Sequence, residues 1–185
     1  MKIFAFKNVV LLGKEINSNQ TMIQKIVLLF LLVGIISACT KDDICTKETR
    51  TTPFLIIKFK NKINPLLSKN VTNLTVTTIV NNDSIDIYKS QTTDSILIPL
   101  NTETNNTEYL FTENNTTSNP GNTDNVIFTY QRDNIYINRA CAFKVIFKEL
   151  ITQLEIVEGE NWISEIEVNK STVENEDETH VTIFH

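Results

Sequence analysis

Imidazole is scarce in this chain. Of 185 residues only two are histidines, His180 and His185, both near the C-terminus. A cysteine nucleophile needs a base held against it, and nothing in the pattern orients either histidine towards a cysteine. Glycine is scarce too. The four present fall in neither a GxGxxG nor a GxxxxGK[ST] pattern, so phosphate-cradling loops are excluded. Basic charge is in the minority, 17 Lys and Arg against 22 Asp and Glu. An acidic chain without a basic patch repels the phosphate backbone, so no nucleic-acid partner is expected. Long apolar runs are missing as well. The longest, Ile26–Ile36, falls short of the roughly 20 residues that a membrane-spanning helix needs.

That run sits in the most informative stretch of the chain, "MIQKIVLLFLLVGIISACTKDD", from Met22 to Asp43. Lys25 is a short positive flank, and the apolar segment has the length of a secretory h-region, about 7–15 residues. A core helix would be apolar on one face only, and this segment is apolar all round. It closes on Ile36-Ser37-Ala38-Cys39, where small residues let the chain lie extended in a peptidase cleft and Cys39 supplies a thiol for lipid transfer. The arrangement resembles the lipobox of bacterial lipoproteins, with Cys39 as the lipidated, palmitate-bearing N-terminus. Residues 1–38 are therefore expected to form a cleaved signal peptide, and residues 39–52 the lipidated Cys and a short tether. Residues 1–21 place polar residues ahead of a signal with its own Met and Lys, so translation is expected to begin at Met22.

Residues 1–38 hold four lysines and one glutamate. Of the 17 basic and 22 acidic side chains, 13 and 21 remain afterwards, a net charge near −8. What remains is rich in Thr, Asn, Ile and Val. β-Branched residues suit a pleated surface, and Asn, Asp and Ser suit the turns between strands. Short alternating runs recur throughout. Leu74, Val76 and Val80 share a face, as do Ile85 with Ile87, and Ile96 with Ile98 and Leu100. So do Val126, Phe128 and Tyr130; Ile135 through Phe147 at odd positions; Trp162, Ile166 and Val168; and Val181 with Ile183. Arg132-Asp133-Asn134 carries the residues of a tight hairpin turn. Period-2 alternation in many short segments predicts an all-β fold, an antiparallel β-sandwich of immunoglobulin-like type, as a single domain over residues 53–185. "FKELITQLEIV" fits a strand followed by a loop, although Leu150, Leu154 and Val157 also have helical spacing. Arg139 shares parity with the apolar residues of its strand, which predicts a buried bridge to a carboxylate.

Two cysteines remain once Cys39 is lipidated, Cys45 and Cys141. An exported protein meets an oxidising compartment, and an even pair there predicts a disulfide. Only Thr40–Ile44 separate the lipid from Cys45, so at about 3.3–3.6 Å per residue the domain stands no more than roughly 20 Å from its anchor.

"DDIC", "DSILIPL", "YINRACAFK" and "NEDETHVTIF" together resemble a family of small uncharacterised lipoproteins from the Bacteroidetes, over nearly all of residues 39–185. The strand around Arg139-Ala140-Cys141 is the most specific part. The family commonly shows Gly where Ala142 stands, which leaves open whether the backbone there takes an angle that Gly favours. The resemblance implies an anchored, disulfide-bonded protein and no established activity. "CTKDD" resembles the export signal that directs lipoproteins of this phylum to the cell surface; read as a plain spacer, it leaves the protein facing the periplasm. Asp83-Ser84-Ile85 and Asp94-Ser95-Ile96 resemble the O-glycosylation sequon of the same phylum, which makes Ser84 and Ser95 candidate attachment points.

Glu174–His180, "ENEDETH", is the best candidate for a divalent cation. It lacks the alternating ligands and turn Gly of a calcium loop, so a solvated acidic turn is expected and no metal or other cofactor. Glu165 and Glu167 fall on one face of a strand by parity, as an exposed face does. The sequence thus points to a lipid-anchored outer-membrane protein of the cell envelope. It acts as a non-enzymatic binding or structural module, whose partners are the membrane and another envelope protein or a glycan. The alternative is an envelope hydrolase. A deep pocket lined with ionisable residues would favour the enzyme; an exposed loop cluster or a flat aromatic face would favour binding.

Overall fold

The structure is a computed structural model that describes residues 22–30, Cys45, 51–80 and 83–185. The chain divides into two compact units, Met1–Ile44 and Cys45–His185. Within the first unit, residues 22–30 form a helix with exposed side chains. No described helix is long and apolar enough to cross a membrane. Cys39 lies outside the described residues, as does the cleavage point before it.

Among its described residues the second unit holds nine strands: β1 (Leu55–Lys60), β2 (Val71–Val80), β3 (Asp83–Thr93), β4 (Ser95–Ile98), β5 (Asn106–Glu113), β6 (Asn122–Asn138), β7 (Ala142–Leu154), β8 (Glu165–Val168) and β9 (Val181–Phe184). They form two sheets, ordered β4-β1-β9-β8 and β3-β2-β5-β6-β7, and the apolar faces of both contribute to one core. The fold is an all-β sandwich, as alternation predicts. Its pairs are antiparallel except β1 with β9, which run parallel, Ile57 beside Val181 and Phe59 beside Ile183. The predicted faces account for much of the core: Leu74, Val76, Ile96, Ile98, Val126, Phe128, Tyr130, Val181 and Ile183 are all buried. Alternating side chains on a pleated strand place every second residue on the core side, which is why the period-2 pattern locates them.

The chain passes between sheets at Asp94. Thr93 Oγ1 accepts from the Ser95 N–H and donates to the Ser95 carbonyl, which closes a bend of one residue. Two buried polar anchors hold the loop before β8 to the other sheet. Trp162 Nε1 donates to the Phe111 carbonyl at 3.0 Å. Asp124 Oδ2 accepts from the Ile163 N–H at 2.7 Å, and its Oδ1 from Asn161 Nδ2 at 3.0 Å. Burial raises the Asp124 pKa, and these hydrogen bonds oppose the rise.

Two local expectations are corrected. Arg132–Asn134 do not turn: β6 runs through them in register, Arg132 opposite Phe147 and Asp133 opposite Ile146. Their polar side chains find partners beside the strand. Arg132 donates to Asn105 Oδ1 and the Thr102 carbonyl, and Asp133 pairs with Lys148 at 2.6 Å. The turn comes later, at residues 139–141, where Asn138 Oδ1 accepts from the N–H groups of Ala140 and Cys141 at 3.0 and 2.7 Å. Arg139 sits on that turn and is exposed, not buried in a bridge. The expected strand and loop over residues 147–157 are found: β7 continues to Leu154, with a bulge where Glu149 takes a positive φ of 55°, and a loop follows.

Candidate functional site

The second unit has two ends, and its features divide between them. Cys45 and Cys141 form a disulfide, with Cα atoms 5.0 Å apart and 96 residues between them in sequence. It fastens the start of the domain to the β6–β7 turn. The next residue, Ala142, has φ of 57°, in the left-handed region that a Cβ disfavours. Ala142 pairs with Asn138 across the turn, so the turn and the disulfide set that angle. Thr52 Oγ1 accepts from the Val145 N–H at 3.0 Å and holds the segment before β1 to the same ribbon.

Beyond Gln131, β6 pairs with β7 alone, because its pairing with β5 ends at Thr129. The two strands therefore leave the sandwich as a ribbon. Phe147 and Val145 begin its core-side row, with Phe147 fully buried. Phe143 continues the row past the last cover and is 63% exposed. Tyr136 stands opposite it in the ladder, 58% exposed, with ring centroids 5.4 Å apart in a T-shaped pair.

The acidic loop between β8 and β9 lies at this end. Its carboxylates are engaged: Glu176 Oε1 accepts from the Phe54 N–H at 2.9 Å, and Lys170 Nζ meets Glu178 Oε1 at 2.6 Å and Glu174 Oε1 at 3.6 Å. No group of three metal-ligating side chains occurs among the described residues. His180 closes the loop and is fully buried. Its Nδ1 accepts from the Ile56 N–H at 3.1 Å, and its own N–H donates to the Ile56 carbonyl. Nε2 is buried with no well-formed hydrogen bond. Burial lowers the His180 pKa, and Lys170 adds to that. The imidazole is thus a structural acceptor that continues the β1–β9 pairing.

Also at this end, an open groove of about 790 Å³ lies between the β2–β3 hairpin and the loop before β5. Its lining includes Ile79, Val80, Ile85, Thr102, Glu103 and Glu108. Glu108 is held by Asn125, whose Nδ2 donates to it at 2.6 Å, and among the described residues no histidine or cysteine lines the groove. It offers threonines and aliphatic side chains to a ligand, without a nucleophile beside a base.

The opposite end carries the β1–β2 loop. Asn61 Oδ1 accepts from the N–H groups of Ile63 and Asn64, and Asn64 Oδ1 from that of Leu66. These bonds hold the loop in a fixed shape that points its apolar side chains outwards. Ile63 is 94% exposed, Leu66 is 91% exposed, and Leu67 is exposed beside them. Lys62 belongs to the same loop.

The candidate modification residues fall on two edge strands. Ser84 is exposed at the start of β3, the edge of its sheet. Ser95 is half-buried on β4, with its hydroxyl turned towards Asp94 Oδ1 at 3.4 Å. Glu165 and Glu167 are exposed on β8.

Residues 73–185, more than half of the chain, match the model of a family of unknown function, DUF6452. The chain belongs to the DUF6452 family. No curated protein and no solved structure matches it. The part matched to DUF6452 starts within β2 and takes in the hairpin turn with Cys141, the acidic loop and His180. It leaves out Cys45, β1 and the apolar β1–β2 loop, so both partners of Cys141 and His180 across the fold precede it.

Proposed function

We propose that this DUF6452 chain is a lipid-anchored outer-membrane protein, acylated at Cys39, that works as a non-enzymatic binding module for another protein of the cell envelope. The observation that carries this reading is the Cys45–Cys141 disulfide. Such bonds persist in oxidising compartments, and this one lies six residues after a cysteine preceded by an export-type apolar run. It ties the domain close to the anchor at one end and leaves the other end outermost. There the Ile63–Leu67 loop holds aliphatic side chains in water by a set of hydrogen bonds, which suits a protein partner. It carries no aromatic platform for a glycan. Ser84, exposed on an edge strand, suits O-glycosylation better than the half-buried Ser95.

A photo-activatable cross-linker placed at position 66, with a second at the exposed but polar position 165, tests this in intact cells. The reading expects one adduct of defined mass from position 66 and none from position 165. It also expects the protein to stay with the outer membrane after alkaline washing. Equal labelling from both positions, or release by the wash, would contradict it.

A further inference from the structure

The apolar row of the β6–β7 ribbon does not stop where the core stops. Phe147 is buried, Val145 is partly covered, and Phe143 is mostly exposed, yet all three share one parity of β7. Tyr136 extends the same side on β6, and its ring packs edge-on against Phe143. A two-stranded ribbon outside a sheet is marginal by itself. Here the disulfide ties its turn to Cys45, and Thr52 Oγ1 accepts from the Val145 N–H below the aromatic pair.

That position is close to the proposed anchor. Five residues, Thr40–Ile44, join Cys39 to Cys45, a reach of at most about 20 Å. Cys45 and Cys141 have Cα atoms 5.0 Å apart. Phe143 follows Cys141 by two residues, about 7 Å along a strand. Arg139 is exposed on the turn between Tyr136 and Phe143, whereas Lys144 lies on the other face of β7, with its Nζ donating to the Glu174 carbonyl at 3.4 Å. Amphipathic aromatic rings flanked by cations are the side chains that favour the headgroup layer of a bilayer, with rings at its apolar margin and cations at the phosphates. No other described part of the domain lies on so short a chain from Cys39 and exposes an aromatic pair.

We propose that the tip of the β6–β7 ribbon, with Tyr136, Phe143 and Arg139, rests in the headgroup layer of the bilayer that carries the lipid. The domain is then held at two points and stands with a defined end towards the membrane. This rests on the acylation of Cys39 proposed above.

The test uses quenching by brominated lipid. The wild-type chain has one tryptophan, Trp162, which is buried in the core. Acylated wild-type, Tyr136→Trp and Ile63→Trp chains are placed in vesicles of phosphatidylethanolamine and phosphatidylglycerol, with and without bromine on the upper acyl carbons. Intact mass first establishes whether each chain carries the lipid. The proposal expects the emission added by Tyr136→Trp to fall at least twofold in brominated vesicles, while wild-type and Ile63→Trp emission stay within a tenth of their unbrominated values. An acylated Tyr136→Trp chain that is not quenched overturns the ribbon contact and leaves the anchor standing. Quenching of Ile63→Trp instead overturns it by placing the other end at the membrane. A mass without lipid removes the anchor, and the ribbon contact with it.

Discussion

Lowering the pH from 7.5 to 5.5 should destabilise the domain through His180. The imidazole is fully buried, and its Nδ1 lone pair accepts the Ile56 N–H at 3.1 Å. A proton on Nδ1 would remove that acceptor and bring charge into the core. The groups facing it do not offset this: Lys170 disfavours the proton, and the weaker influences of Glu178, Glu176 and the Asn175 backbone do not overcome burial. The folded-state pKa is therefore depressed below the ordinary value of 6.5. The sign follows from proton uptake. Above pH 6.5 neither state binds the proton and the contribution is whole; as pH falls below 6.5 the unfolded chain takes the proton first and stability is lost. One histidine can lose at most about 1.4 kcal/mol over these two pH units, however far its pKa is depressed. His185 is also depressed by burial, packed edge-on against Trp162 and Phe59, and it adds to the total slope. Asp124 and Glu113, raised by burial, have the opposite sign. The perturbation that isolates His180 is His180→Asn, because an amide oxygen can still accept the Ile56 N–H and does not titrate. Urea unfolding at both pH values measures the difference. The wild type should lose more stability than the variant on acidification, by no more than about 1.4 kcal/mol. Equal losses in both chains would refute the buried-acceptor assignment, whatever the variant costs at pH 7.5.

Reduction of the disulfide, or Cys141→Ser with Cys45→Ser, should lower stability by up to about 4.7 kcal/mol on the chain-entropy model, because the bond closes a long loop. Urea midpoints with and without reductant give this directly, and coincident midpoints would contradict the bond. Ala142→Gly should stabilise by up to about 1 kcal/mol, since the residue holds φ at 57°, and a thermal shift downwards would mean that the angle is not kept. Asp124→Ala should cost about 3 kcal/mol by stranding the Ile163 N–H and the Asn161 amide, whereas a loss under 1 kcal/mol would place water there.

The core was the legible part of the fold. Val126, Phe128 and Tyr130 lie on one side of β6, and Val181 and Ile183 lie buried in β9, because a pleated strand turns alternation into burial. The disulfide was also legible, from a count of cysteines and a compartment. The hairpin turn was not. Arg132-Asp133-Asn134 has turn chemistry, but the strand continues because Phe147 and Ile146 bury across from it, and tertiary pairing outweighs local preference. The actual turn depends on the Asn138 side chain, and the exposed Arg139 follows from it. The parallel β1–β9 pair joins segments over a hundred residues apart, which no local pattern encodes. His180 was visible only as a residue type, because its role depends on the Ile56 amide of a remote strand. The aromatic ribbon tip and the Ile63–Leu66 loop share this limit: their residues read as ordinary strand and loop until their exposure is seen.

The central claim is an envelope protein anchored at Cys39 and closed by one disulfide. The most direct measurement is the intact mass of the native protein extracted from membranes, taken with and without reductant. The account predicts a chain that begins at Cys39, carries acyl groups, and gains two hydrogens on reduction. A mass that retains residues before Cys39 would contradict it.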